Sequence, residues 1–143
     1  MKRLLPWLPC LLLVGAAPPP QDDLKAELAK LEGTWATQYV EIDGKELKAD
    51  VKNDRLTISG TSFTFTGSSK MEGTLKIDPS KKPRTIDTET TAGDHKGTRM
   101  VGIYETDGQR LLVCYRAAPG ARPTEFATTE KSDRILVIYK RFK

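Results

Sequence analysis

The chain has 143 residues, with 23 Lys and Arg against 19 Asp and Glu, and a single His. That length accommodates one ordinary domain and leaves no room for two. A chain that is 38% hydrophobic and 29% charged has a globular balance, which excludes wholesale disorder. The formal charge is only +4, and two of the bases, Lys2 and Arg3, fall in an expected export signal. The remaining excess is too small to grip nucleic acid or an anionic membrane. One His and two Cys, one of them in that signal, exclude a multi-His or multi-Cys metal site within one chain.

Residues 1–16 read as a signal peptide. Lys2-Arg3 form a positive start, Leu4 to Val14 an apolar stretch too short to span a bilayer, and Val14-Gly15-Ala16 the small residues a signal peptidase reads. Cleavage before Ala17 predicts an exported chain, periplasmic or extracellular, with no transmembrane segment. Leu8-Pro9-Cys10 fits a lipoprotein signal poorly, because Pro precedes the Cys and the apolar run continues beyond it. A lipid-anchored form is therefore not expected. Cys114 becomes the single mature thiol, so no internal disulfide can form and core packing alone must hold the domain. At this size it suffices, since about two-thirds of the unfolded surface becomes buried.

Residues 17–21 are a stiff linker around Pro18-Pro19-Pro20. Asp22 and Asp23 then precede Leu24, Leu28 and Leu31, with Gly33 beyond. Acids in the first turn, leucines at i, i+4 and i+7, and a Gly stop predict an amphipathic helix over 22–32. The segment 22–143 as a whole is predicted to form one domain. After the helix, turn signals recur at Asp43-Gly44, Ser59-Gly60, Gly67-Ser68, Asp78-Pro79, Gly93-Asp94, Asp107-Gly108, Pro119-Gly120 and Ser132-Asp133. The stretches between are rich in Thr, Ile, Val and aromatics with period two. This predicts a meander of about eight to ten antiparallel strands, and a meander that long must form a sandwich or close into a barrel. Leu111, Val113 and Tyr115 alternate with the equally apolar Leu112 and Cys114. Ile135, Val137 and Tyr139 likewise alternate with Leu136 and Ile138. Strands apolar on both faces must be covered on both. The leucine stripe of the helix is the expected outer cover of a closed barrel.

Gly33-Thr34-Trp35, following a short helix and opening the first strand, resembles the Gly-x-Trp signature of lipocalins. In that family the Trp closes one barrel end beneath a basic residue from the last strand, a place that Arg141 occupies here. An Arg over an indole contributes about 0.5–2 kcal/mol and would tie the first strand to the last. More specifically, the chain resembles an uncharacterised lipocalin-like domain family known mainly from planctomycete bacteria. The matching stretches include Leu31-Glu-Gly-Thr-Trp35, Glu41-Ile-Asp-Gly44, Ile77-Asp-Pro-Ser-Lys-Lys-Pro-Arg-Thr-Ile-Asp87, Gly102-Ile-Tyr-Glu105, Leu112-Val-Cys-Tyr115 and Arg122-Pro-Thr-Glu-Phe126. The resemblance implies an all-β, exported, lipocalin-like up-and-down barrel and brings no assigned ligand, reaction or cofactor.

Candidate chemistry is sparse, and no catalytic residues are assigned. Asp94-His95 lies in a Gly93–Gly97 loop, where a charged turn outweighs an acid–base pair. Cys114 lies mid-strand among apolar residues, as an inert buried thiol does. Asp78, Asp87 and Glu89 bracket Lys81-Lys82-Pro83-Arg84, read as a solvated hairpin in preference to an anion-binding rim. Arg122 is expected to pair with a neighbouring acid. The barrel interior is assigned to Phe63, Phe65, Met71, Leu75, Met100, Tyr104, Tyr115 and Phe126. Eight strands enclose either a filled core or room for one small ligand. Gly73 and Gly102 remove volume from strand faces, which tilts the balance toward internal space, though glycines also mark bulges and corners. The expectation is a monomeric barrel binding a small apolar molecule. The alternative is a protein-interaction or cell-envelope module with a filled interior.

Overall fold

The computed structural model describes residues 21–143. The signal peptide and most of the linker assigned above lie outside the described residues. A helix, α1 (Gln21–Leu31), is followed by nine strands: β1 (Gly33–Ile42), β2 (Lys45–Glu46), β3 (Arg55–Ser59), β4 (Ser62–Thr66), β5 (Met71–Asp78), β6 (Arg84–Gly93), β7 (Arg99–Thr106), β8 (Arg110–Ala117) and β9 (Arg134–Arg141). Gln21, assigned to the linker above, is the first helical residue.

Each strand from β3 to β8 pairs with the next, and β1 pairs with both β3 and β9. All pairings are antiparallel, so the eight longer strands close into an up-and-down barrel and β2 is a short extra ribbon on β1. The lipocalin-like all-β barrel expected from the sequence is the fold observed. Closure rests on the β1–β9 seam, which runs from Trp35↔Arg141 to Ile42↔Ile135 with one irregularity between Thr37 and Tyr39. That irregularity keeps Trp35 and Thr37 on the inner face below it and Val40 and Ile42 on the inner face above it. The β1–β3 pairing spans only Gly33 to Ala36. Beyond it the two strands part, and residues 47–54 fill the gap, held by Leu47 N–H donating to the Val40 carbonyl (2.8 Å).

The two ends of the barrel differ. At one end α1 docks as a plug, with Leu31 in the interior core and Leu24 and Leu28 packed on it beside Trp35. The helix therefore does not supply the outer cover that the sequence suggested. The outer faces of β7, β8 and β9 are covered instead by residues 118–133, with Phe126 packed on Ile103, Cys114 and Leu136. This strap is anchored by Arg122, whose guanidinium pairs with Asp87 (2.7 Å) and donates to the Gly102 carbonyl (2.8 Å). Thr128 anchors it again, donating its hydroxyl to Glu41 Oε1 and accepting from Gly44 N–H. The geometric reason is simple. A helix whose Leu31 carbonyl accepts from the Trp35 indole must lie across the barrel end that Trp35 occupies, out of reach of the β8–β9 wall.

Candidate functional site

Closure of the barrel begins at the Gly-x-Trp segment. Trp35 is wholly buried, and its indole N–H donates to the Leu31 carbonyl at 2.9 Å. Arg141 lies over the ring with its Cζ 4.2 Å from the centroid. The same guanidinium donates to three backbone carbonyls: Gly108 (2.7 Å), Glu32 (2.6 Å) and Lys30 (2.6 Å). One side chain thus joins β9, the β7–β8 turn and the exit of α1. Gly33 has φ +116°, and a Cβ there would meet Arg141 Nη1 at 2.8 Å, so the signature glycine has both a conformational and a steric cause. Glu27, on the inner side of α1, accepts from the Tyr104 hydroxyl (3.0 Å) and pairs with Arg84 (3.3 Å) and Lys30 (3.4 Å). A buried carboxylate requires such partners. Burial and the charge of Glu27 raise the Tyr104 pKa, keeping the phenol a donor.

Above this floor lies a cavity of about 520 Å³. Phe63, Phe65, Met71, Leu75, Met100 and Tyr115 line it, as do Leu56, Ile58, Val113 and Val137. Two of the eight residues assigned to the interior do not line the cavity. Tyr104 points inward but belongs to the floor, drawn there by Glu27. Phe126 belongs to the strap and packs on the outer surface of the barrel, because its segment is not a strand and follows no period-two rule. The two strand glycines do not leave empty space either. A Cβ at Gly73 would sit 2.6 Å from Phe63 Cε1, and one at Gly102 would sit 3.0 Å from Tyr115 Cδ1. A backbone oxygen is closer still at each, Glu89 O at Gly73 beside a bulge and Cys114 O at Gly102, so both glycines answer to a close backbone approach as well as to a neighbouring aromatic ring.

The mouth is at the end opposite α1, bordered by Ile42, Leu47, Val51, Ser68, Ser69, His95 and Thr98. Ile42 and Leu47 are 37% and 39% exposed, apolar side chains left in solvent at the lip. His95 sits in the β6–β7 turn with φ 62°, while Asp94 accepts from Lys70 N–H (2.9 Å) and so holds the adjacent turn. Polar groups also line the cavity wall: Thr37, Asp54, Thr88, Thr90, Tyr115 and Tyr139. Sequence reading missed Thr37, Asp54 and Tyr139 as lining residues. Alternation from Trp35 would have pointed to Thr37, whereas Asp54 precedes its strand and carries no periodic signal.

Cys114 is wholly buried beneath the strap, and burial raises its thiol pKa. A second hollow of about 290 Å³ lies beside the closed end, between the Pro79–Arg84 connection, Tyr104, Glu105 and Phe126. Among the described residues no group of three or more His, Cys, Asp or Glu is placed to hold a metal ion, and no helix is long and apolar enough to cross a membrane. Searches of family profiles, curated proteins and solved structures find no match to this chain.

Proposed function

We propose that the protein is an exported, monomeric, lipocalin-like carrier of a small, largely apolar molecule, akin to the planctomycete domain family its motifs resemble. The cavity carries this reading. At about 520 Å³ it falls within the roughly 300–1,000 Å³ range of small-molecule sites, and its lining is aliphatic and aromatic with a few polar groups. A barrel filled by its own side chains, acting through rims and loops, would have no need of that volume. The exposed Ile42 and Leu47 at the lip support the same reading, since apolar residues at an opening ease the passage of an apolar guest. Export rests on the pattern of residues 1–16 alone. Affinity would come from burial, at about 25 cal/mol per Å² of apolar surface removed from water, and orientation from the polar wall.

The test is native mass spectrometry of the protein purified from its own host, with titration of the neutral fluorophore N-phenyl-1-naphthylamine as a second arm. A co-purifying small molecule, or saturable one-to-one probe binding, is expected. A stoichiometric protein partner with no small molecule and no probe binding would overturn the carrier reading in favour of the interaction module.

A further inference from the structure

Polar side chains line the cavity on two sides, Thr88 and Thr90 on β6 and a cluster at the β1–β9 seam, and the polarity of the seam cluster has a sign. Thr37 and Tyr139 face each other across the β1–β9 seam, the next inward-facing pair above Trp35 and Arg141. Thr37 N–H donates to the Asp54 carbonyl (3.2 Å), which brings the Asp54 side chain to the same wall. Tyr115, on β8, lines the same cavity as Tyr139. Thr37 is 2% exposed, lines the cavity, and its Oγ1 has no hydrogen-bond partner among the described residues. A buried hydroxyl without a partner is costly, and native proteins rarely leave one so.

Asp54 is also buried. Its Oδ1 accepts from Ser68 N–H (2.7 Å) and its Oδ2 from the Ser68 hydroxyl (2.8 Å). A carboxylate has about four acceptor sites, so these two bonds leave capacity to spare. Among the described residues no Lys or Arg lines the cavity, and no cation forms a salt bridge with the Asp54 carboxylate; the Arg55 guanidinium donates instead to the Asp54 backbone carbonyl (3.0 Å). The wall therefore offers one negative charge and three hydroxyls, each able to accept. A second carboxylate brought beside Asp54 in this low-dielectric interior would be repelled, whereas a donor would be bound.

Resting on the carrier reading, we infer that the guest bears a hydrogen-bond-donating, non-anionic head group, a hydroxyl or a protonated amine, which seats against Thr37, Asp54 and Tyr139. Its apolar body then extends toward Phe65, Met71 and the mouth. The head enters first and stops one layer above the Trp35 floor. Anionic amphiphiles of equal length are selected against.

The test displaces N-phenyl-1-naphthylamine with octan-1-ol, octylamine and octanoate at about pH 8, where the acid is ionised and the amine protonated. Octanol, octylamine or both should displace the probe at concentrations about tenfold or more below octanoate, and which of them leads identifies the head group. Thr37→Val, which keeps shape and removes the hydroxyl, should weaken the preferred ligand about fivefold, the loss of one hydrogen bond. Probe affinity should stay within about twofold, and Thr37→Ser should restore the ligand. Octanoate matching the other two, or Thr37→Val leaving their advantage intact, would overturn the head-group assignment while the carrier reading stands. Failure of the probe and all three ligands to bind the wild-type protein would overturn both.

Discussion

The two ends of this barrel are built from the same strands and differ in how their polar groups are used. At the closed end every strong donor and acceptor described is spoken for. Arg141 serves three carbonyls and an indole face, Glu27 serves a phenol and two cations, and the Trp35 N–H is bonded. At the other end apolar Ile42 and Leu47 stand in solvent, and in the cavity between, one layer above the floor, the Thr37 hydroxyl has no partner among the described residues. Tight packing at one end frees the other to leave apolar side chains in solvent and a cavity behind them, which is the division expected between a stabilising region and a binding one.

That contrast can be broken most directly at Trp35. Trp35→Ala should destabilise the protein by about 3–5 kcal/mol in chemical denaturation, and a change under about 1 kcal/mol would remove the closed end as the stabilising centre. Arg141→Met keeps a long stem over the indole and deletes the donors. It should cost about 1–3 kcal/mol, read in the same experiment. The Glu41–Thr128 anchor sharpens the comparison with an acid titration. Hydrogen bonds from Thr128, and secondarily from Tyr39, hold the Glu41 carboxyl below its ordinary value of 4.5. A carboxyl depressed on folding contributes stability above its unfolded pKa and loses it as pH falls through the folded one. Glu41→Gln should therefore flatten the loss of stability below about pH 4.5 and leave the neutral-to-basic range without added pH dependence. The smallest effect belongs to the lip. Ile42→Ser with Leu47→Ser should change stability by about 0.5 kcal/mol or less, while slowing uptake of an apolar probe in stopped-flow fluorescence.

Much of the fold was legible because its signals are local. Asp22, Asp23 and the three leucines specify α1, and period two specifies the strands and their inward faces from Leu56 to Tyr139. Gly33, Trp35 and Arg141 could be placed because a glycine with positive φ, an indole and a guanidinium are each hard to replace in that arrangement. Long-range placement was less legible. Both faces of β8 and β9 visibly needed cover, yet nothing in the apolar count distinguishes a helix from a strap as its source. The strap's anchors, Arg122 on Asp87 and Thr128 on Glu41, join residues 35 or more positions apart and leave no periodic trace. Tyr104 and Tyr115 both face inward, but Tyr115 is level with Gly102, one inward step nearer the mouth, while Tyr104 sits lower and is held to the floor by the helix acid Glu27. The polar wall was missed for a related reason. Alternation from Trp35 marks Thr37 as inward-facing, but Asp54 precedes its strand, and the two meet only through the pairing of β1 with β9 and β3.

Trp35 and Arg141 also mark where the first and last strands leave the sheet side by side, with Phe142 N–H still bonded to the Thr34 carbonyl (2.9 Å). Antiparallel neighbours tugged apart from a shared end yield one rung at a time, like a zipper, instead of resisting in shear along their whole length. Load drawn across the paired ends of β1 and β9 would thus fall first on the Phe142–Thr34 rung and then on the stacked Arg141, which makes that cation a latch at the seam.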